Sequence, residues 1–148
     1  MALRAVQFLV IVFTALALVP AGAHFFALPN KIVMSEEAYF TVQQIYAGWA
    51  LFGIVLIGAL ILNLVHAVMV RGEYPTFRFA IAAFLLIGAT LAIFFGWTFP
   101  ANQATANWTD IPRDWQALRA QWEYSHAVNA VLTFVAFCCV TLAVLTKE

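Results

Sequence analysis

Four long hydrophobic stretches alternate with short polar segments along the chain. They cover about residues 5–27, 43–70, 76–99 and 112–146. Each exceeds the roughly 20 apolar residues that a helix needs to cross about 30 Å of hydrocarbon. The pattern predicts an all-α membrane protein, an antiparallel bundle of four transmembrane helices that forms a single domain over residues 1–148.

The ends of the first and last predicted helices are indicated by residues with strong backbone preferences. Pro29 and Asn30 do not continue a helix well, so they predict the end of the first one. Thr109 or Asp110 is expected to cap the fourth helix, because Pro112 fits a first helical turn.

The composition excludes several classes of protein. The chain is 65% hydrophobic and only 9% charged, whereas soluble domains carry roughly a quarter of charged residues. Its formal net charge is zero and it has no basic run, which excludes a nucleic-acid partner and leaves the lipid bilayer as the expected one.

Arg4 and 21-AGA-23 imitate a secretory signal, but we expect a spanning helix there. Cys138 and Cys139 are neighbours within a helix and are interpreted as spectator thiols.

The basic residues give a weak prediction of orientation. On the side of the predicted bundle that holds the two termini lie four of them, Arg4, Arg71, Arg78 and Lys147. On the opposite side lie three, Lys31, Arg113 and Arg119. Cytoplasmic loops carry an excess of Lys and Arg. The sequence therefore predicts a multi-pass membrane protein with both termini in the cytoplasm.

The fourth predicted helix begins with a polar face made of Arg119, Trp122, Glu123, His126 and Asn129. Arg119 and Glu123 are four residues apart and are expected to pair, and Glu123 and His126 are three apart and are expected to hydrogen-bond. Ionisable residues inside a membrane almost always face the interior of a bundle. We therefore expect this face to point inward.

Most of the aromatic residues fall at the same, outer end of the predicted bundle. This predicts an outer-leaflet pocket that binds or oxidises a small lipophilic aromatic or quinone-like molecule. The candidate catalytic residues are His126, Glu123 and Arg119, and the candidate ligand-binding residues are His24, Tyr46, Trp97, Asn102 and Trp122. The alternative is a non-catalytic accessory or structural subunit of a larger membrane complex, or a homo-oligomer, in which the polar face serves packing alone.

Three interpretations of the cofactor are open. The favoured one is that no cofactor is bound. A single metal ion on His126, Glu123 and His24 is the second, and haem b between His24 and His126 is the third. A di-iron centre is disfavoured because the Glu-x-x-His pattern occurs only once here.

The last third of the chain carries a recognisable motif after the third predicted helix. It consists of Asn102, Asn107, Trp108, Trp115, Arg119, Trp122 and His126 within residues 97–134. The motif resembles that of the uncharacterised bacterial four-helix integral membrane proteins of the anthrone-oxygenase-like family. The resemblance implies a short four-helix bundle in a bacterial cell inner membrane and a cofactor-free oxidation of an aromatic or phenolic substrate.

Overall fold

The computed structural model of the protein describes residues 1–146, and in that range the chain is helical and contains no strand. Among these residues, four helical stretches are long and apolar enough to cross a membrane: Ala2–Lys31, Trp49–Met69, Tyr74–Ala104 and Trp115–Leu145. Their outward side chains are large and hydrophobic, with Ile54 70% exposed. Such a surface suits contact with hydrocarbon rather than water, which indicates a multi-pass membrane protein.

The helices follow one another with short connections. In chain order they are α1 (Ala2–Lys31), α2 (Glu36–Gln43), α3 (Phe52–Met69), α4 (Tyr74–Ile93), α5 (Phe99–Ala104) and α6 (Trp115–Leu145). A π-helical turn over Phe94–Thr98 joins α4 to α5.

The four long helices pack around a shared core. Both α1 and α4 contact α3, and both also contact α6, so these helices close a ring. The centre of the ring contains Val10, Ala83, Ile87, Ala136 and Val140, all fully buried. Alanines at such contacts let helix backbones approach closely, which is the usual way in which helices associate in membranes.

The first helix extends further than Pro29 and Asn30 predict. α1 continues through Pro29 and ends at Lys31, and the N–H of Ile32 closes its last turn on the carbonyl of Leu28 at 2.9 Å. Proline has an acceptable φ for a helix and lacks only one N–H, so neighbouring hydrogen bonds sustain the final turns. The predicted end was wrong, and Lys31 belongs to a helix rather than to an outer loop.

The second predicted helix, which was expected to start at residue 43, begins later. Gln43 is the last residue of the separate helix α2, which Ser35 caps through its hydroxyl. Two short 3₁₀ turns follow, separated by Gly48 in the left-handed region at φ 84°. A left-handed residue cannot continue a right-handed helix, so α3 starts only at Phe52.

The third predicted helix is longer than residues 76–99. The π-helical turn keeps the chain helical as far as Ala104, so that Asn102 lies in α5 and not in a loop.

The fourth helix begins at Trp115, after Asp114, and is not capped by Thr109 or Asp110. Ala106, Asn107 and Trp108 have positive φ and turn the chain before it can start. The helix ends at Leu145, and Lys147, which entered the prediction of orientation, lies outside the described residues.

Candidate functional site

An ion pair between Lys31 and Glu123 lies at the centre of the candidate site. The Lys31 ammonium nitrogen is 2.6 Å from Glu123 Oε1, and the two residues are only 2% and 1% exposed. Lys31 comes from the last turn of α1 and Glu123 from the third turn of α6. The ion pair therefore joins two long helices at a position closed to solvent.

A tyrosine and a glutamine extend this ion pair into a hydrogen-bonded chain. The Tyr39 hydroxyl donates to Glu123 Oε1 at 2.9 Å, and Gln43 Nε2 donates to the Tyr39 oxygen at 2.9 Å. Tyr39 and Gln43 are four residues apart on α2, so they present their side chains on one face. Burial raises the pKa of the Tyr39 phenol well above its ordinary value, and the Glu123 carboxylate adds to the rise.

Aromatic rings cover the Lys31 ammonium. Its nitrogen lies 4.4 Å from the ring centre of Trp122, 4.6 Å from that of Tyr46 and 5.6 Å from that of Tyr39. A cation over an aromatic face gains electrostatic stabilisation, most strongly where water is excluded. Burial raises the pKa of the Tyr46 phenol, and Glu123 contributes to that rise as well.

The histidines His24 and His126 stack on each other beside the ion pair. Their ring centres are 4.1 Å apart with the planes inclined by 27°. Trp122 lies against both rings, at 4.9 Å from His24 and 4.2 Å from His126, and Tyr46 lies 4.4 Å from His24. Within residues 1–146 the expected hydrogen bond between Glu123 and His126 is not formed. The structure does bring His24, Tyr46, Trp122 and His126 together as the sequence predicts.

Arg119 is part of the site's outer edge and does not pair with Glu123. Its guanidinium donates to the carbonyl of Met34 at 2.7 Å and lies 4.6 Å from the ring of Trp115. The predicted pair of Arg119 and Glu123 was wrong, because Lys31 reaches the carboxylate from α1 and Arg119 lies one turn further out on α6.

Asn102 fixes two indole rings above the ion pair. Its Oδ1 accepts hydrogen bonds from Trp122 Nε1 at 2.8 Å and from Trp108 Nε1 at 3.1 Å. Trp97, by contrast, is 46% exposed, and its backbone carbonyl accepts a hydrogen bond from Gln121. Asn102 thus supports the wall of the site, whereas Trp97 does not line it.

Five buried polar atoms of the site have no hydrogen-bond partner in the part of the chain that the structure describes. They are Glu123 Oε2, Gln43 Oε1, His24 Nδ1, Arg119 Nε and Lys31 Nζ, whose contact with Glu123 is an ion pair. Leaving a buried polar atom unpaired costs about 1–3 kcal/mol, and more where the group is charged. Such atoms are rare in folded proteins and indicate either bound water or a ligand.

The geometry does not assemble the metal or haem sites considered above. Among residues 1–146 no group of three or more His, Cys, Asp and Glu side chains is placed to hold a metal ion. Oε1 of Glu123 is already paired with the Lys31 ammonium. The rings of His24 and His126 lie in direct face contact, whereas haem ligation needs their nitrogens on opposite sides of a porphyrin.

Sequence reasoning missed Lys31, Tyr39 and Gln43 as members of the site. A signal for Lys31 was present, because it follows His24 by seven residues, which is two helical turns on the same face. The prediction that α1 ends at Pro29 hid this relation. Tyr39 lies in a segment that was expected to be a loop, and Gln43 stood at the expected start of the second helix rather than in the separate helix α2.

Comparison of the chain with protein-family models, with curated proteins and with solved structures finds no match.

Proposed function

We propose that this chain is an antiparallel four-helix protein of a bacterial inner membrane, with both termini in the cytoplasm. Its outer-leaflet end binds a small phenolic or quinone-like aromatic molecule, and it supports the oxidation of a phenolic substrate with dioxygen as the external electron acceptor. The observation that carries the proposal is the buried pair of Lys31 and Glu123, which is enclosed by aromatic rings and whose second carboxylate oxygen has no partner among residues 1–146.

Stability alone does not account for this arrangement. Removing two charges from water costs several kcal/mol per ion, and well-packed apolar residues of similar volume are often equally or more stable. Intramembrane ionisable residues commonly mark a binding or proton-transfer site. A cluster of buried charges, histidines and aromatic rings at one end of a bundle therefore supports a ligand site.

The residues suit the binding and deprotonation of an aromatic hydroxyl. Glu123 is the proton acceptor, Lys31 stabilises the resulting phenolate, and Trp122 and Tyr46 offer ring faces for stacking. His126 stacks on His24 and lies against Trp122, so it contributes a further ring face to the site. The geometry supports binding and proton transfer, and the resemblance to the anthrone-oxygenase-like family supports the oxidation.

Binding of 1-naphthol to the full chain in lipid nanodiscs tests the proposal. We expect saturable binding, measured by calorimetry, that weakens at least about tenfold in His126→Ala, since a stacking and hydrogen-bonding ring is lost. Glu36→Gln, which changes an exposed carboxylate on α2, is the matched control and should bind like the wild type. Absence of binding, or equal binding by His126→Ala, contradicts the proposal. A Soret band in the purified protein would instead indicate a haem site, and stoichiometric copper or zinc would indicate a metal site.

A second candidate function, an accessory subunit of a larger membrane complex, is favoured by one separate feature. Phe95 is 64% exposed and Phe99 40% exposed, and their rings contact each other beside the π-helical turn at 6.3 Å. An exposed aromatic patch on a helix is a surface that a second protein can cover. Native mass spectrometry of the protein from mild detergent tests this: a complex that Phe95→Ala dissociates supports the subunit role, and a single chain argues against it.

A further inference from the structure

We infer that Lys31 is a covalent attachment site for a lipophilic aldehyde, which it holds as a protonated Schiff base with Glu123 as the counter-ion. This inference goes beyond the proposed function, because it depends on the surroundings of one amine and not on the binding of a phenol. It follows from the contacts of Lys31 and from the rings that enclose it.

Lys31 has the contacts that a nucleophilic amine requires. Such an amine needs a base within hydrogen-bond reach, and the base needs a partner that orients it. The Lys31 nitrogen lies 2.6 Å from Glu123 Oε1, and the Tyr39 hydroxyl donates to the same oxygen at 2.9 Å. Gln43 in turn donates to Tyr39. Lys31, Glu123 and Tyr39 are therefore placed as a nucleophile, its base and the group that holds the base.

The structure uses only part of the bonding capacity of this amine. An ammonium carries three N–H donors, yet within residues 1–146 the Lys31 nitrogen has no hydrogen-bond partner besides its ion pair with Glu123. The residue is only 2% exposed, so water does not supply the missing acceptors from the surface. Lysines held in apolar pockets are the ones that form Schiff bases, and Lys31 is in such a setting.

The reaction needs no reactant besides the aldehyde. One ammonium proton passes to Glu123, the neutral nitrogen adds to the carbonyl carbon, and an N–H proton moves to the carbonyl oxygen. Glu123 then gives its proton to the new hydroxyl group, which leaves as water while the C=N bond forms. The net change converts an ammonium and an aldehyde into an iminium and water. The site therefore keeps one cation beside one carboxylate throughout.

The rings around Lys31 suit this product and indicate the class of aldehyde. Trp122 and Tyr46 have their ring centres 4.4 and 4.6 Å from the nitrogen, and they stabilise an iminium there as they stabilise the ammonium. The stacked rings of His24 and His126 lie against Trp122. An aldehyde with an aromatic or other apolar group fits such walls, whereas a sugar or a keto acid would lose hydrogen bonds to water.

Tyr46 marks the side from which an aldehyde can reach the amine. Its ring contacts the Lys31 nitrogen and is only partly buried, and it belongs to the short 3₁₀ turn Gln44–Tyr46. Gly48, two residues further on, has open space at the position of a Cβ. Short 3₁₀ turns have poorer hydrogen-bond geometry than an α-helix, so this ring is displaced more easily than a side chain of α1 or α6.

Reductive trapping on the full chain in phosphatidylcholine nanodiscs tests the inference. The probe is 1-naphthaldehyde with sodium cyanoborohydride, which converts a Schiff base into a stable secondary amine, and mass spectrometry of the intact chain and its peptides locates the label. The chain has two lysines, Lys31 and Lys147, so each reports on the other within one sample. Because a positioned base accelerates such a reaction by about 10²–10⁴-fold, we expect Lys31 to be labelled at least about tenfold faster than Lys147. This comparison uses the wild type and does not depend on the folding of a variant.

Four variants identify the groups responsible. Lys31→Arg keeps a cation beside Glu123 but has no primary amine, and it should lose the fast label, whereas Lys147→Arg should keep it. Glu123→Gln removes the base and should slow labelling of Lys31 at least about tenfold. Glu36→Gln, which changes an exposed carboxylate on α2, is the matched control and should react like the wild type.

The possible outcomes separate this inference from the proposed function. If Lys31 is labelled no faster than Lys147, the inference is overturned. Labelling of Lys31 at the wild-type rate in Glu123→Gln also overturns it, because the carboxylate would then not carry the protons. Both results leave the proposed function standing where 1-naphthol still binds by calorimetry. Fast labelling of Lys31 in a protein that does not bind 1-naphthol supports the inference and contradicts the proposed function.

Discussion

Replacing Lys31 with Met should destabilise the protein more than most single substitutions. Met preserves most of the length of the side chain but leaves the Glu123 carboxylate, 1% exposed, without its counter-ion. Breaking a buried ion pair by removing one partner costs about 3–5 kcal/mol. The hydrogen bond from Tyr39 at 2.9 Å remains and offsets only part of this loss.

Unfolding by sodium dodecyl sulfate in mixed micelles, followed by tryptophan fluorescence, measures the effect. A double-mutant cycle with Glu123→Gln isolates the interaction between the two side chains. We expect Lys31→Met to lose about 3–5 kcal/mol. The double variant should recover most of it, since it buries no charge.

The matched control is Arg113→Met, which removes an exposed cation before α6 and should change stability by no more than about 0.5 kcal/mol. The reasoning is refuted if Lys31→Met costs less than about 1 kcal/mol, or if the two changes are simply additive.

Three further predictions concern the surroundings of the site. Gly48→Ala should cost about 1–2 kcal/mol because φ is 84° there, whereas Gly53→Ala, with open space at its Cβ, should be neutral or slightly stabilising in the same unfolding assay. Asn102→Leu leaves two indole N–H groups without an acceptor and should cost about 1–3 kcal/mol for each, with a shift in tryptophan emission; an unchanged midpoint argues against it. The pKa of Tyr39 is higher in the folded than in the unfolded protein. Its contribution to the free energy of unfolding is therefore complete below the unfolded pKa of about 10 and is lost as the pH rises above that value. The free energy of unfolding should therefore fall less steeply with pH above about 10 in Tyr39→Phe than in the wild type. Equal dependence on pH in the two proteins contradicts this prediction.

The helical segments could be predicted from the sequence, but their ends could not. Hydrophobic runs long enough to span a bilayer are a property of the chain itself and need no partner to recognise. The ends depend on local backbone conformation, which hydropathy does not report. Pro29 is tolerated within α1, whereas Gly48 and residues 106–108, which have positive φ, stop a helix from forming within apolar or neutral stretches.

The candidate site could be predicted only in part. The inward polar face of α6 is confirmed for Trp122 and Glu123, which are buried, and Val131 on the opposite face is 50% exposed. The partners of these residues were not predictable in the same way. Sequence spacing identifies neighbours on one helix, so it suggested Arg119 for Glu123, whereas Lys31 comes from a helix 92 positions earlier in the chain (123 minus 31).

The sequence by itself therefore determined the class of protein, its four long apolar helices and the end of the molecule at which its polar and aromatic residues gather. Only the tertiary structure decided which charges meet. It paired Lys31 with Glu123, stacked His24 on His126 and, within the described part of the chain, left Glu123 Oε2 without a donor. The physical reason is that hydrophobicity acts on each segment separately, whereas a buried charge is stabilised only by the particular group that packing places within a few ångströms of it.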